Sequence, residues 1–208
     1  MADIRPYDPN DLDALYRVCL ETGDAGRDAT ALYRDSQILG QVYAAPYAIH
    51  CPDSTFVVED RDGVGGYILG PADTYGFAKT LEAEWWPKLR VRYPAPSEPQ
   101  TLDERMAWLI HHPPRTPRRI SEPWPAHLHI NLLPRLQGRG IGSRLIDHWL
   151  AAVAAQGAAG AHLAVGARNT RAVAFYRRYG FRELERSGPP FDVIWFGIAT
   201  KRSRHDQG

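Results

Sequence analysis

The segment Gln137-Gly138-Arg139-Gly140-Ile141-Gly142-Ser143 sets three glycines at alternate positions. Before it lies an apolar run, His127 to Leu133, closed by Pro134. After it, Leu145, Ile146, Trp149, Leu150 and Val153 recur at helical spacing through Ala155. Strand, glycine loop and helix in that order make an anion site. The first N–H groups of a helix lack an internal partner, and the helix dipole adds partial positive charge there. Glycines let phosphate oxygens approach the main chain. Arg139 and Arg144 bring formal charge to the same place. Two nucleotide loops are excluded by spacing. No Lys-Ser or Lys-Thr follows the glycines, as a P-loop requires, and the spacing of two throughout breaks Gly-x-Gly-x-x-Gly.

Other residue types able to move protons lie nearby or at loops. His127 and His129 sit on the apolar run itself. Thr22 to Thr30 is polar, with two glycines and the carboxylates Asp24 and Asp28, and suits either a ligand rim or a surface connection. Asp73 precedes a helical pattern that it or Thr74 can cap. Arg115, Arg118 and Arg119 follow His111-His112-Pro113-Pro114 in a solvated link without the aromatic interleaving of a nucleic-acid track.

These residues must be positioned by one domain of ordinary composition. The chain has 208 residues, 44% hydrophobic and 24% charged, with a formal charge of +1. Such balance gives no global field toward nucleic acid or membrane. Cys19 and Cys51 fit no metal spacing, and a reducing cytoplasm is the simplest compartment. Neither a signal peptide nor a membrane-spanning run is expected. Periodicity predicts a short strand at 3–7, a helix from Pro9 through Cys19, and a helix over 32–47 ended before Pro46. A hairpin is expected over 54–70 with a bulge at Gly65-Gly66, then a helix over 73–93 and another over 102–112. A strand at 161–165, a helix capped by Asn169 and ended at Gly180, and an antiparallel pair at 181–186 and 193–199 complete the chain. That pair is joined through Gly188-Pro189-Pro190, and the tail from Lys201 is expected to be disordered.

The form Gln/Arg-x-x-Gly-x-Gly/Ala, met by Gln137, Gly140 and Gly142, resembles the acetyl-CoA loop of the GNAT superfamily of N-acetyltransferases. The following strand, Asn169, and Phe175-Tyr176 with Gly180-Phe181 extend the resemblance over roughly residues 126 to 199. Ile4-Arg5-Pro6-Tyr7, Phe56-Val57-Val58-Glu59-Asp60, Gly65-Gly66-Tyr67-Ile68-Leu69-Gly70 and Trp85-Trp86-Pro87 are similar to the acetyltransferase-like C-terminal domain of eukaryotic O-GlcNAcases. The chain is thus expected to be a stand-alone bacterial relative of that domain, with the coenzyme loop intact where the eukaryotic one is degenerate. The resemblance implies an α/β (α+β) GNAT fold over residues 1–200. Its mixed, mainly antiparallel sheet of about seven strands is flanked by helices and splayed at the central strand.

The resemblance also implies a cosubstrate, acetyl-CoA, no metal, and an amine acceptor, either a small molecule or a protein lysine or N-terminus. Ile130, Asn131 and Leu132 would bond the pantetheine arm, and Asn169 would touch it. Gln137, Gly138 and the main chain of Arg139, Gly140, Ile141, Gly142 and Ser143 would hold the pyrophosphate. Tyr176 would protonate the leaving thiolate, and a strand N–H, that of Leu132, would polarise the carbonyl. Paired histidines on this strand carry protons in arylalkylamine N-acetyltransferases. Counted back from Gln137, however, the family's base positions hold Leu128 and Ala126, so His127 and His129 should face away unless a bulge restores them. Asp24, Asp28 and Asp73 remain as candidate bases, acting through water. The alternative to an enzyme is a non-catalytic acyl-CoA-binding or protein-interaction module. Either a monomer or a homodimer is compatible.

Overall fold

A computed structural model of the chain describes residues 2–188 and 192–200. The expected Pro189-Pro190 connection and the tail from Lys201 lie outside these residues. Among them the order is β1 (Asp3–Pro6), α1 (Leu12–Glu21), α2 (Ile38–Tyr43), α3 (Ala45–His50), β2 (Phe56–Asp60), β3 (Gly63–Leu69) and α4 (Thr74–Glu84). Next come α5 (Trp86–Arg92), α6 (Leu102–His111), α7 (Arg118–Ser121), β4 (Ala126–His127) and β5 (His129–Leu132). The chain closes with α8 (Ile141–Ala155), β6 (Gly160–Gly166), α9 (Thr170–Tyr179), β7 (Arg182–Ser187) and β8 (Val193–Ala199).

The strands form two four-stranded sheets, ordered β1-β2-β3-β5 and β4-β6-β8-β7. Pairing is antiparallel except between β4 and β6. The expected central strand is one run of chain broken at Leu128, so its halves join different sheets. This break turns about seven strands into eight. Alternation along β2 and β3 separates two cores. Val57, Tyr67 and Leu69 pack with α1 to α6, while Val58 and Ile68 pack with α8. On α8, Leu145, Ile146, Trp149, Leu150 and Val153 are buried at the predicted spacing. Helix α8 begins at Ile141, four residues before Leu145, the first residue of that pattern.

At the break the main chains are closely packed. A β-carbon on Gly70 would overlap the carbonyl oxygen of His127. Glycine here lets the end of β3 press against the main chain where the central strand divides. The Gly70 carbonyl is fixed by buried bonds, accepting from Ser54 Oγ at 2.7 Å and Trp149 Nε1 at 3.2 Å.

Two expected helices are divided. The region 32–47 holds a 3-10 turn at Thr30–Leu32, then α2 and α3, with the kink at Ala44 (φ −133°). Pro46 opens α3, where its missing N–H costs nothing, instead of closing the helix before it. The region 73–93 breaks at Trp85 because Pro87 opens α5 in the same way. The expected bulge is present: Gly66 faces Val58 and Val64 faces Glu59, so Gly65 is the extra residue. Part of the proline-rich link forms α7.

Candidate active site

After Ala126 and His127 pair with Ala161 and His162, β5 follows β3 and β6 follows β8, so the two strands diverge. The inner edge of β5 is therefore open. Leu133 N–H donates to Gly65 O at 2.8 Å, and antiparallel alternation then directs the main-chain groups of Asn131 and His129 at β3. Those of Ile130 and Leu132 face the open edge. The Leu132 carbonyl shows this directly, accepting from Gln137 Nε2 at 2.6 Å. That bond also ties the glycine loop to the end of the strand.

The loop then turns through Gly138 and Gly140, both at φ 72°. This left-handed conformation is costly for any residue with a β-carbon. Gly140 is the N-cap of α8, and no side chain caps that end. The N–H groups of Ile141, Gly142 and Ser143 have no helical acceptor.

A cavity of about 960 Å³ runs from this loop past β5 and β6 to α1, α2 and α6. Its lining includes the predicted Ile130, Asn131, Leu132, Gln137, Gly138, Gly140, Gly142, Ser143, Asn169 and Tyr176. Arg139 and Ile141 lie outside the lining: Arg139 is exposed and bonds Arg135 O, and Ile141 is buried in the core. Arg144 is exposed on the outer face of α8. Arg171 and Arg178 of α9 supply the positive charge instead. The Asn169 side chain accepts from Ala172 N–H at 3.1 Å and caps α9. The Tyr176 ring is buried against Phe181 and Phe196, and burial raises its hydroxyl well above the usual value.

None of the three candidate carboxylates lines the cavity. Asp73 is exposed and caps α4 through Tyr75 N–H. Asp24 pairs with Arg27 at 2.7 Å across a tight turn whose Gly23, Ala25 and Gly26 reach the lining while its own side chain does not. Asp28 bonds Thr30.

His129, by contrast, lines the cavity. The register count placed it on the wrong face, but the cavity opens at the edge of β5, where four successive residues, His129 to Leu132, contribute. His127 and His129 do share one face, opposite Leu128, and both meet the Tyr47 hydroxyl, at 3.3 and 3.0 Å. Their tautomers follow from counting protons. Thr74 Oγ1 spends its proton on Pro125 O at 2.6 Å, so it accepts from His127 Nδ1 at 2.8 Å. His127 Nε2 is then a lone pair and accepts from Tyr47 O–H. The Tyr47 oxygen in turn accepts from His129 Nε2–H. This leaves His129 Nδ1 with its lone pair free. Burial, with His162 nearby, pushes His129 down to about 4, so it is neutral at neutral pH. Burial and the flanking histidines lower His127 as well.

On the side away from the loop, Thr22 Oγ1 donates to Val18 O at 2.6 Å. It therefore accepts from Asn131 Nδ2, leaving Asn131 Oδ1 free to accept. Sequence gave no signal for the Thr22–Asn131 contact, which joins residues far apart in the chain. Among the described residues, no group of three or more His, Cys, Asp or Glu is placed to hold a metal.

A family profile described as acetyltransferase (GNAT) domain matches residues 115–183. The crystal structure of SsHAT is similar over 97% of this chain and 99% of that one, with 40% identity and a TM-score of 0.88. The chain belongs to the GNAT family of acetyltransferases. Rat (Rattus norvegicus) protein O-GlcNAcase is 27% identical over 200 residues, 93% of this chain, and the mouse (Mus musculus) protein is 26% identical over 198. The GNAT chain spans only 22% of the length of either. A putative acetyltransferase from Salmonella typhimurium, yncA, whose structure holds its cofactor acetyl-CoA, shares the GNAT fold at 12% identity, a TM-score of 0.57, and coverage of 98% of this chain and 96% of its own. The splay, the loop and the cavity described above are thus features of a GNAT chain.

Proposed function

We propose that this chain is an acetyl-CoA-dependent N-acetyltransferase that passes acetyl to an amine by direct attack in a ternary complex. One observation carries the proposal: the open edge of β5 and the free N–H groups at the start of α8 face a single cavity. Bound acetyl-CoA supplies an acyl group already activated as a thioester, so the protein needs no covalent intermediate of its own. The main chain of Ile130 and Leu132 offers strand-like bonds to an amide-bearing arm. Residues 138–143, with Arg171 and Arg178, hold the pyrophosphate and phosphate charge. The Leu132 N–H polarises the carbonyl, Tyr176 protonates the departing sulfur, and His129 Nδ1 accepts the amine proton. Tyr47, His127 and Thr74 keep His129 in the tautomer that can do so. Asp24 and Asp73 have no part, since neither side chain reaches the cavity. Cys19 and Cys51 are free thiols, which suits a reducing compartment such as the cytoplasm. Among the described residues no helix is long and apolar enough to cross a membrane.

Acetyl-CoA is expected to raise the melting temperature, and Gly140→Asp, which sets a carboxylate where the anion binds, to remove the rise. Thiol release with a panel of amines should depend on protein and fall in Tyr176→Phe. Binding without turnover across the panel would identify a coenzyme-binding module instead, and no binding at all would refute both.

A further inference from the structure

No carboxylate lines the acceptor end of the cavity. Beyond His129 it is bounded by Cys19, Thr22, Tyr33, Leu39, Tyr43 and Met106. Over the whole described lining, the formally charged side chains are Arg171 and Arg178, and there is no carboxylate. The polar groups on offer are neutral: Asn131 Oδ1, His129 Nδ1 and the phenols of Tyr33 and Tyr43. Burial holds the Tyr43 phenol un-ionised, raising it to about 12. Two carboxylates act on Tyr33 from outside the lining, and both are engaged: Asp103 accepts from the main-chain N–H groups of Arg34 and Asp35, and Asp24 pairs with Arg27. An ammonium entering such a site loses water without gaining a counter-ion in the lining, which weakens its binding. A neutral amine instead donates its N–H groups to Asn131 Oδ1 and His129 Nδ1 while its body lies against the two tyrosines.

We propose that the acceptor is a small, flat, weakly basic amine of the arylamine class, bound uncharged, and not the ε-ammonium of a protein lysine or a polyamine. The proposal rests on the acetyl-transfer function above. In the step, the amine nitrogen bonds to the acetyl carbon as the C–S bond breaks. The nitrogen's proton goes to His129 Nδ1 and the sulfur takes one from Tyr176. One proton passing from His129 to Tyr176 through water restores both. A base as weak as His129 suffices only when the amine carries no extra proton.

The test is a thiol-release assay with acetyl-CoA and three acceptors: 4-methoxyaniline, a lysine-containing basic peptide, and spermidine. Acetyl-CoA binding is measured first by thermal shift. The arylamine is expected to exceed both cations in kcat/KM by roughly 100-fold, the penalty for an unpaired ammonium. Its kcat/KM should be flat between about pH 6 and pH 8, where a lysine acceptor would gain about tenfold per pH unit. Met106→Glu and Tyr33→Glu, checked for folding and coenzyme binding, should each shift preference toward spermidine by roughly tenfold. Equal or greater activity with the peptide or spermidine overturns the acceptor proposal while leaving acetyl transfer intact. So does coenzyme binding with no arylamine turnover. An unchanged preference in a folded, coenzyme-binding variant also counts against it. Absence of coenzyme binding marks failure of the underlying function instead.

Discussion

Acidification should destabilise this protein well above the range in which carboxylates titrate. His129 sits between Tyr43, Tyr47 and His127, with burial and His162 lowering it from 6.5 to about 4. A histidine lowered on folding stabilises the native state while both states are neutral. As pH falls below 6.5, the unfolded chain takes up a proton that the folded chain refuses until about 4, and stability drops through that window. Each pKa unit is worth about 1.4 kcal/mol. His129 alone therefore removes about 2 kcal/mol between pH 7 and pH 5, and about 3 kcal/mol below pH 4. Burial and the neighbouring histidines lower His127 too, so it adds to the loss in the same direction. Urea unfolding followed by tryptophan fluorescence at pH 7 and pH 5 measures the sum. Comparison with His129→Asn isolates one residue, because the carboxylates cancel. The variant should lose about 2 kcal/mol less on acidification than the wild type. Identical pH dependence in the two proteins, or a wild type that gains stability at pH 5, would refute the buried neutral histidine.

Two further outcomes follow from the arginines of α9 and from Gly70. Arg171→Ala and Arg178→Ala, at exposed positions on α9, should each weaken acetyl-CoA binding about threefold at low salt and by less at high salt, by calorimetry. Gly70→Ala forces a β-carbon into the main chain of His127 and should cost at least about 3 kcal/mol in urea unfolding. Wild-type stability in that variant would contradict the close approach of Gly70 to the His127 main chain.

Much of the site was legible in the chain because glycine positions report backbone conformation directly. Gly138 and Gly140 occupy left-handed positions that a β-carbon disfavours, and Asn169 caps a helix by a local bond. Local chemistry also predicted the Asp73 cap and the Gly65 bulge. Prolines were harder, since Pro46 and Pro87 open helices here, and a proline reads the same on either side of a break. The register count misplaced His129 because it assumed a site on one face of an unbroken strand. The cavity lies instead at an edge, opened where β4 and β5 join different sheets. The Thr22–Asn131 bond and the Tyr47 bridge between the histidines join distant segments, so no spacing within one segment foretells them. Arg139 and Arg144 were drawn by adjacency to the loop, whereas α9 carries its arginines across the cavity.

The most direct measurement is the stoichiometry of a single reaction. The protein is mixed with acetyl-CoA and an amine, and both free thiol and acetylated amine are followed by mass spectrometry. Acetyl transfer in a ternary complex predicts that the two appear together, one for one, only when protein and amine are both present, and that both fall in Tyr176→Phe. Thiol released at the same rate without amine, or coenzyme bound with neither product formed, would contradict it.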